Sequence, residues 1–342
     1  MKIAEIIYAK LQNLRLPEIY LAAIISGFLV ANSSHAENNT KVISKIIIDT
    51  SSVSQAAIRD RLKYQFFVLE NINRKSEDDR KRYGAWVKRP AVSSFYKQNS
   101  VNFNSKSRGH TIGFDRKITE DLVFGTAFSV NVNSAKSKDY SKSFTLSLYG
   151  SFVANDNLIY IGNMEGGVIN NRSDFYNLTP PGRLERKRKS KIKGDIFRAT
   201  LSAGYYTSFD SFTLVSGLGV SCEQINVTTA KTALPVTWQS SSRKFFTIPS
   251  IKVFQEIKAG NVTLLPSLSA GARLAIMNNA LTIITKNNHI RNNKTRKRNI
   301  LYNFDTNVNV IRNDLEMGIG YQGIFHKKYQ ANKWFLKLRA NF

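Results

Sequence analysis

From residue 83 onward, large apolar residues alternate with small, polar or cationic ones, and this period of two predicts β-strands almost without interruption. Near the end of the chain, Trp334, Leu336, Leu338, Ala340 and Phe342 share one face, while Phe335, Lys337, Arg339 and Asn341 share the other. Just before it, Leu315, Met317, Ile319, Tyr321 and Phe325 alternate with Glu316, Gly318, Gly320 and Gln322, and a polar turn over residues 327–333 joins the two strands. The same pattern recurs in Leu122, Phe124, Phe128, Val130 and Val132 against Gly125, Ala127, Ser129 and Asn131. It returns in Phe144, Leu146, Leu148 and Phe152 against Thr145, Ser147, Tyr149 and Ser151. Phe197, Ala199, Leu201, Ala203 and Tyr205 stand against Arg198, Thr200, Ser202 and Tyr206, and Leu264, Leu268, Ala270, Ala272 and Leu274 against Ser267, Ser269 and Arg273.

Two arrangements accept strands with one apolar and one polar face: a sheet resting on a soluble core, or a barrel in a membrane whose apolar face meets lipid and whose polar face lines a lumen. The dry core of a soluble sandwich would strand Arg198 and Arg273 at a cost of several kcal/mol. A water-filled or helix-filled lumen accepts them, together with Glu316, Lys337 and Arg339. Lumen acids such as Glu256 and Glu316 are expected to neutralise Arg198, Arg273 or Arg339.

Loop lengths separate the two arrangements further. Short turns at residues 119–121, 154–157, 208–211, 259–261 and 312–314 alternate with longer polar links at 98–104, 133–139, 171–191, 228–243 and 278–298. A barrel with one end in the periplasm and the other outside alternates in this way. The segments amount to about twelve strands, an even number that brings both ends of the barrel to one side. The expected fold is therefore all-β, a transmembrane antiparallel β-barrel covering residues 83–342.

The front of the chain has a different period. Val42, Ile43, Ile46, Ile47, Val53, Ala57, Ile58, Leu62, Phe66, Leu69 and Ile72 recur at threes and fours, which predicts a helix over residues 39–75, either packed on a soluble domain or threaded through a pore. A charged stretch over residues 73–82 reads as a linker. Before these, Lys2, Lys10 and Arg15 precede an apolar run over residues 19–31, and Ser34 and Ala36 supply the small residues of an export-signal cleavage site between Ala36 and Glu37. The run is shorter than the roughly 20 residues that a spanning helix needs. Residues 1–36 are thus expected to be a signal peptide.

Composition changes the picture in one respect. The 42% hydrophobic content and mean hydropathy of −0.27 are too polar for a bundle of membrane helices, an objection a barrel escapes because only alternate residues meet lipid. The formal charge of +26 favours anionic surfaces. Arg183, Arg186, Lys187, Arg188, Lys189, Lys191 and Lys193 crowd one long link and Lys286, Arg291, Lys294, Arg296, Lys297 and Arg298 another; facing outside, they are candidates to hold lipopolysaccharide phosphates or anionic host glycans. Solvated loops without a ligand are the competing reading. Nucleic-acid binding lacks a supporting motif, and the aromatics alternate along strands instead of clustering with the cations. The lone Cys222 forms no disulfide framework, and His35, His110, His289 and His326 show neither metal-ligand spacing nor a neighbouring nucleophile motif. Neither an enzyme activity nor a metal or organic cofactor is expected.

Several segments, taken in order, carry a resemblance. Tyr83-Gly84-Ala85-Trp86-Val87-Lys88, His110-Thr111-Ile112-Gly113-Phe114-Asp115, Ile118-Thr119-Glu120-Asp121-Leu122 and Ser147-Leu148-Tyr149-Gly150 resemble the opening strands of the autotransporter translocator domain. Glu316-Met317-Gly318-Ile319-Gly320-Tyr321 and Leu336-Lys337-Leu338-Arg339-Ala340-Asn341-Phe342 resemble its closing strands, in a form most similar to the rickettsial surface-antigen autotransporters. The resemblance implies a monomeric twelve-stranded outer-membrane barrel inserted by the barrel-assembly machinery, with a pore helix from residues 39–75 leading to an exported passenger. Tyr321, Trp334, Leu336, Leu338, Ala340 and Phe342 would form the assembly signal. Residues 37–82 would hold the helix, the linker and only a short passenger remnant, too few for a β-helical passenger of stacked repeats. Adhesion through the basic loops and a porin-like barrel are the alternative functions.

Overall fold

The computed structural model describes residues 82–98, 101–135, 140–155, 157–175, 188–230, 238–284, 289–294, 300–327 and 329–342. The expected signal peptide with its Ala36/Glu37 cleavage site, and the expected helix over residues 39–75, lie outside them.

Alternation of apolar and polar residues commits each segment to an extended backbone, and the unpaired edges of those strands then force closure, since an open edge in hydrocarbon leaves N–H and C=O groups unsatisfied. The strands are β1 (Tyr83–Gln98), β2 (Val101–Lys117), β3 (Leu122–Ala135), β4 (Tyr140–Asn155), β5 (Leu158–Phe175), β6 (Arg188–Ser208) and β7 (Thr213–Ala230). They continue with β8 (Trp238–Phe254), β9 (Ile257–Ala259), β10 (Val262–Ile284), β11 (His289–Lys294), β12 (Ile300–Arg312), β13 (Leu315–His326) and β14 (Tyr329–Asn341). Every pairing is antiparallel. The short β9 prolongs β8 along one edge of β10, and β11 with β12 lies along its other edge, so these segments form twelve staves. The staves close into a barrel, as the alternation predicts.

The seam joins the first strand to the last. Gly84 pairs with Asn341 and Tyr96 with Tyr329, and Tyr83 and Phe342 exchange both backbone hydrogen bonds at 3.0 Å. Both ends of the barrel thus lie at the end closed by the short turns. At one of these, Asn313 takes a positive φ of 51°, a left-handed conformation that asparagine tolerates better than most residues.

At the opposite end the strands run further than the alternation of apolar residues suggests. The described residues of the links expected over 98–104 and 171–191 are strand, with Phe175 opposite Arg188 and Arg172 opposite Lys191. In the expected link over 278–298, β10 continues to Ile284 and pairs with β11. The turn expected over 327–333 is shorter, because β14 begins at Tyr329. Polar residues prolong the hydrogen-bond ladder beyond the lipid, where no apolar face is needed to mark a strand.

Candidate functional site: the inner wall of the barrel

Along β14, Lys333, Phe335, Lys337 and Arg339 are buried while Trp334, Leu336 and Leu338 are exposed, so the cations face the lumen and the apolar set faces lipid. Phe342 is exposed beside the seam, where its ring lies 6.4 Å from that of Tyr83. Ala340 stands on the same outward face, and the Tyr321 ring tilts against Trp334 at 4.8 Å. These are the residues of the implied assembly signal, and they form one outward strip on β13 and β14.

The inner wall is polar and cross-linked. Small polar residues on neighbouring strands bond one another: Ser94 with Ser105 at 2.7 Å, Thr111 with Ser129 at 2.9 Å and Thr200 with Ser221 at 2.9 Å. Larger groups lie on floors of glycine. The Trp86 Nε1–H donates to the Tyr149 hydroxyl at 2.8 Å, and that hydroxyl donates to Asp115 Oδ2 at 3.2 Å. Arg339 Nη2 donates to the other carboxylate oxygen at 3.3 Å. A β-carbon on Gly113 would stand 2.3 Å from the Trp86 ring, and one on Gly125 would stand 2.5 Å from Tyr149. Glycine is needed there so that both rings can lie flat on the wall. Phe335 lies over Gly320 in the same manner and receives the Lys88 ammonium 3.5 Å from its ring centre.

Following partners from strand to strand traces one continuous row of inward side chains. It runs Glu316, Arg339, Trp86, Gly113, Ala127, Ser147, Glu165, Arg198, Glu223 and Lys244. Starting at Thr263 of β10, the row returns to Asn278 of the same strand, 15 residues further on, so the strands are strongly staggered. On β5 to β8 the row alternates in sign. Arg198 Nε donates to Glu223 Oε2 at 2.9 Å and its Nη1 to Glu165 Oε2 at 3.5 Å, and Arg273 Nη2 approaches Glu223 at 3.7 Å. Arg198, Glu165 and Glu223 are at most 2% exposed.

The placement corrects one expected pairing and supplies three acids that the sequence did not single out. Glu256 does not neutralise an inward arginine: it sits where β8 gives way to β9 and pairs with the exposed Lys258 at 3.1 Å. Glu316 pairs with Lys337. Arg198, Arg273 and Arg339 are served by Glu165, Glu223 and Asp115, whose position opposite a cation depends on strand register and carries no local signal. Of the basic loop, Arg183, Arg186 and Lys187 lie outside the described residues, while Arg188, Lys189 and Lys191 belong to the backbone of β6 and not to a loop.

Above this row the polarity of β5 to β8 reverses. Ile169, Ile196, Ile225 and Val227 are buried on the inside. Outside, Asn226 donates to Asp195, Ser241 donates to Asn226 at 2.7 Å, and Arg243 donates to Gln224 at 3.3 Å. A polar outer face marks strand that has left the hydrocarbon. Among the described residues no group of three or more His, Cys, Asp or Glu side chains is arranged to hold a metal ion.

Comparison with known proteins agrees with this architecture. The chain is similar to "Outer membrane protein A" of Rickettsia conorii, with 26% identity over 298 residues covering 78% of this chain and 14% of the relative. It therefore spans about a seventh of that relative's length. In fold it is similar to the translocator domain of the autotransporter NalP from Neisseria meningitidis, with a TM-score of 0.56, 14% identity, and coverage of 84% of this chain and 98% of that one. It is also similar to the β-domain of the Bordetella autotransporter Brka, with a TM-score of 0.57, 9% identity, and coverage of 76% of this chain and all of that one. The family described as "Autotransporter beta-domain" matches residues 90–322. A closed twelve-stave barrel, lipid-facing outside and polar inside, joins that match to place this chain in the autotransporter β-domain family, in the bacterial outer membrane.

Proposed function

We propose that the barrel is a translocator: it anchors the chain in the outer membrane and passes the segment before residue 82 through its lumen to the cell surface. The observation that carries this reading is the inner wall. On it Arg198, Arg273, Lys337 and Arg339 are matched by Glu165, Glu223, Glu316 and Asp115, so an extended or helical polypeptide can move past them without meeting an uncompensated charge there. Residues 37–82 would supply a pore helix over 39–75 and a linker that enters at the short-turn end, where β1 begins. The barrel acts as a monomeric conduit and catalyses no reaction. The outward strip of Tyr321, Trp334, Leu336, Leu338, Ala340 and Phe342 would be read by the barrel-assembly machinery before insertion. The test is conductance in a planar lipid bilayer. The intact chain should conduct poorly, and deletion of residues 39–75 should raise conductance several-fold; an unchanged conductance would reject the occupied lumen.

A further inference from the structure

On most strands the lipid-facing run is long. Outward apolar residues reach from Phe342 to Trp334 on β14, from Phe124 to Val132 on β3 and from Phe152 to Phe144 on β4. Two strands differ. On β1 the run ends at Val87 and the next outward residue is Arg89; on β2 only Phe114 and Ile112 separate Arg116 from His110, Arg108 and Lys106. All of these basic side chains are exposed.

Register shows how deep they sit. Arg89 is the partner of Leu336, a lipid-facing residue that is 59% exposed, while His110 pairs with Val130 and Arg108 with Val132. With strands tilted about 40°, each step from β14 toward β3 climbs about 3 Å, and each residue along a strand rises about 2.5 Å. Arg89 then lies about 10 Å below the top of the apolar run on β3. His110, Arg108 and Lys106 continue upward from it along β2, so the basic groups form a diagonal ladder from inside the apolar belt to its outer rim. Lys142 on β4, the partner of Val132, adds a cation at the top.

Among the described residues of β1 to β4, no acid answers Arg89, Lys106 or Arg108. Among the described residues of β1 to β4 the one acid is Asp115, which is buried in the lumen and bound by Arg339. Arg89, Lys106 and Arg108 form no ion pair among the described residues. Cations at lipid depth are unfavourable unless an anion joins them or they reach the interface. Guanidinium groups hold phosphate oxygens in a bidentate fork, which water or a lone counterion does not replace.

We propose that the outer face of β1 and β2 is a binding site for a phosphorylated glycolipid of the outer leaflet, with a phosphate held between Arg89 and Arg108 and a further anionic group on Lys106. The lipid's acyl chains lie along the exposed Val87, Ile112 and Phe114. Its headgroup is drawn below the plane of its neighbours, and the ladder sets that depth.

The full chain, purified in a neutral detergent and checked for heat-modifiable gel mobility, is titrated with bis-phosphorylated lipid A and with the dephosphorylated lipid, and bound lipid is counted by native mass spectrometry. Wild type should retain the phosphorylated lipid at least tenfold more tightly. The combined variant Arg89→Gln, Lys106→Gln, Arg108→Gln should lose that preference, whereas Lys258→Gln, at the opposite end, should keep it. Conservative exchange of Arg89→Lys and Arg108→Lys should keep part of it. Equal binding of the two lipids by wild type overturns the proposal without any variant, and so does full retention by the combined variant. Displacement of the bound lipid by soluble heparin at matched charge would overturn it in favour of a general polyanion surface.

Discussion

Arg198→Met tests the central cross-link of the lumen. The side chain is fully buried, and its guanidinium lies between two carboxylates, 2.9 Å from Glu223 and 3.5 Å from Glu165. Methionine keeps much of the volume and removes the charge. Removing one partner of a buried ion pair costs about 3–5 kcal/mol, because the other partner stays buried without its counter-charge. Arg273, 3.7 Å from Glu223, remains to compensate that carboxylate in part, which places the expected loss near the lower end, about 3 kcal/mol. At 1.4 kcal/mol per decade this shifts the folded-to-unfolded ratio about a hundredfold. The measurement is urea unfolding of the barrel in lipid vesicles, followed by tryptophan fluorescence and by loss of the folded gel band. The double variant Arg198→Met, Glu165→Gln removes both members of that pair and leaves Glu223 beside Arg273, so it should recover most of the stability, since uncharged replacement of both partners is close to neutral. A single variant within 1 kcal/mol of wild type, or a double variant no better than the single, would refute the view that these charges are coupled.

Two further substitutions probe the two faces of the wall. Gly113→Val puts side-chain atoms where the Trp86 ring lies, 2.3 Å from a β-carbon, and should cost about 1–3 kcal/mol and shift the tryptophan emission; adding Trp86→Ala should relieve the strain. Leu338→Arg places a cation on the exposed lipid-facing row and should lower stability by about 2–4 kcal/mol in vesicles if it lies near mid-bilayer, which the same urea titration measures.

The class of fold was legible because a period of two ran through about twelve successive segments, while Arg198 and Arg273 on the polar face excluded a dry protein core on that side. The outward set Trp334, Leu336 and Leu338, and the inward Arg198, Arg339 and Lys337, follow from parity alone. Partnership does not. Arg339 meets Asp115, 224 residues earlier in the chain, because β14 lies against β1 and β1 against β2, and nothing within either strand encodes that register. Where the strands leave the lipid, parity and hydropathy part: Ile196 and Ile225 point inward, and Arg188 and Lys191, expected in a loop, extend a strand. In each case the alternation signal ends with the hydrocarbon while the hydrogen-bond ladder continues.

The row Glu165, Arg198, Glu223, Lys244 repeats its sign every second stave, a wavelength of about 10 Å at the ordinary spacing of strands. The potential of such a periodic array decays along the normal with a length of its wavelength over 2π, which is about 1.5 Å. Toward the axis of the barrel this stretch of wall is therefore electrically quiet, however basic the whole protein is. Acidic and basic side chains travelling down the middle would feel it alike.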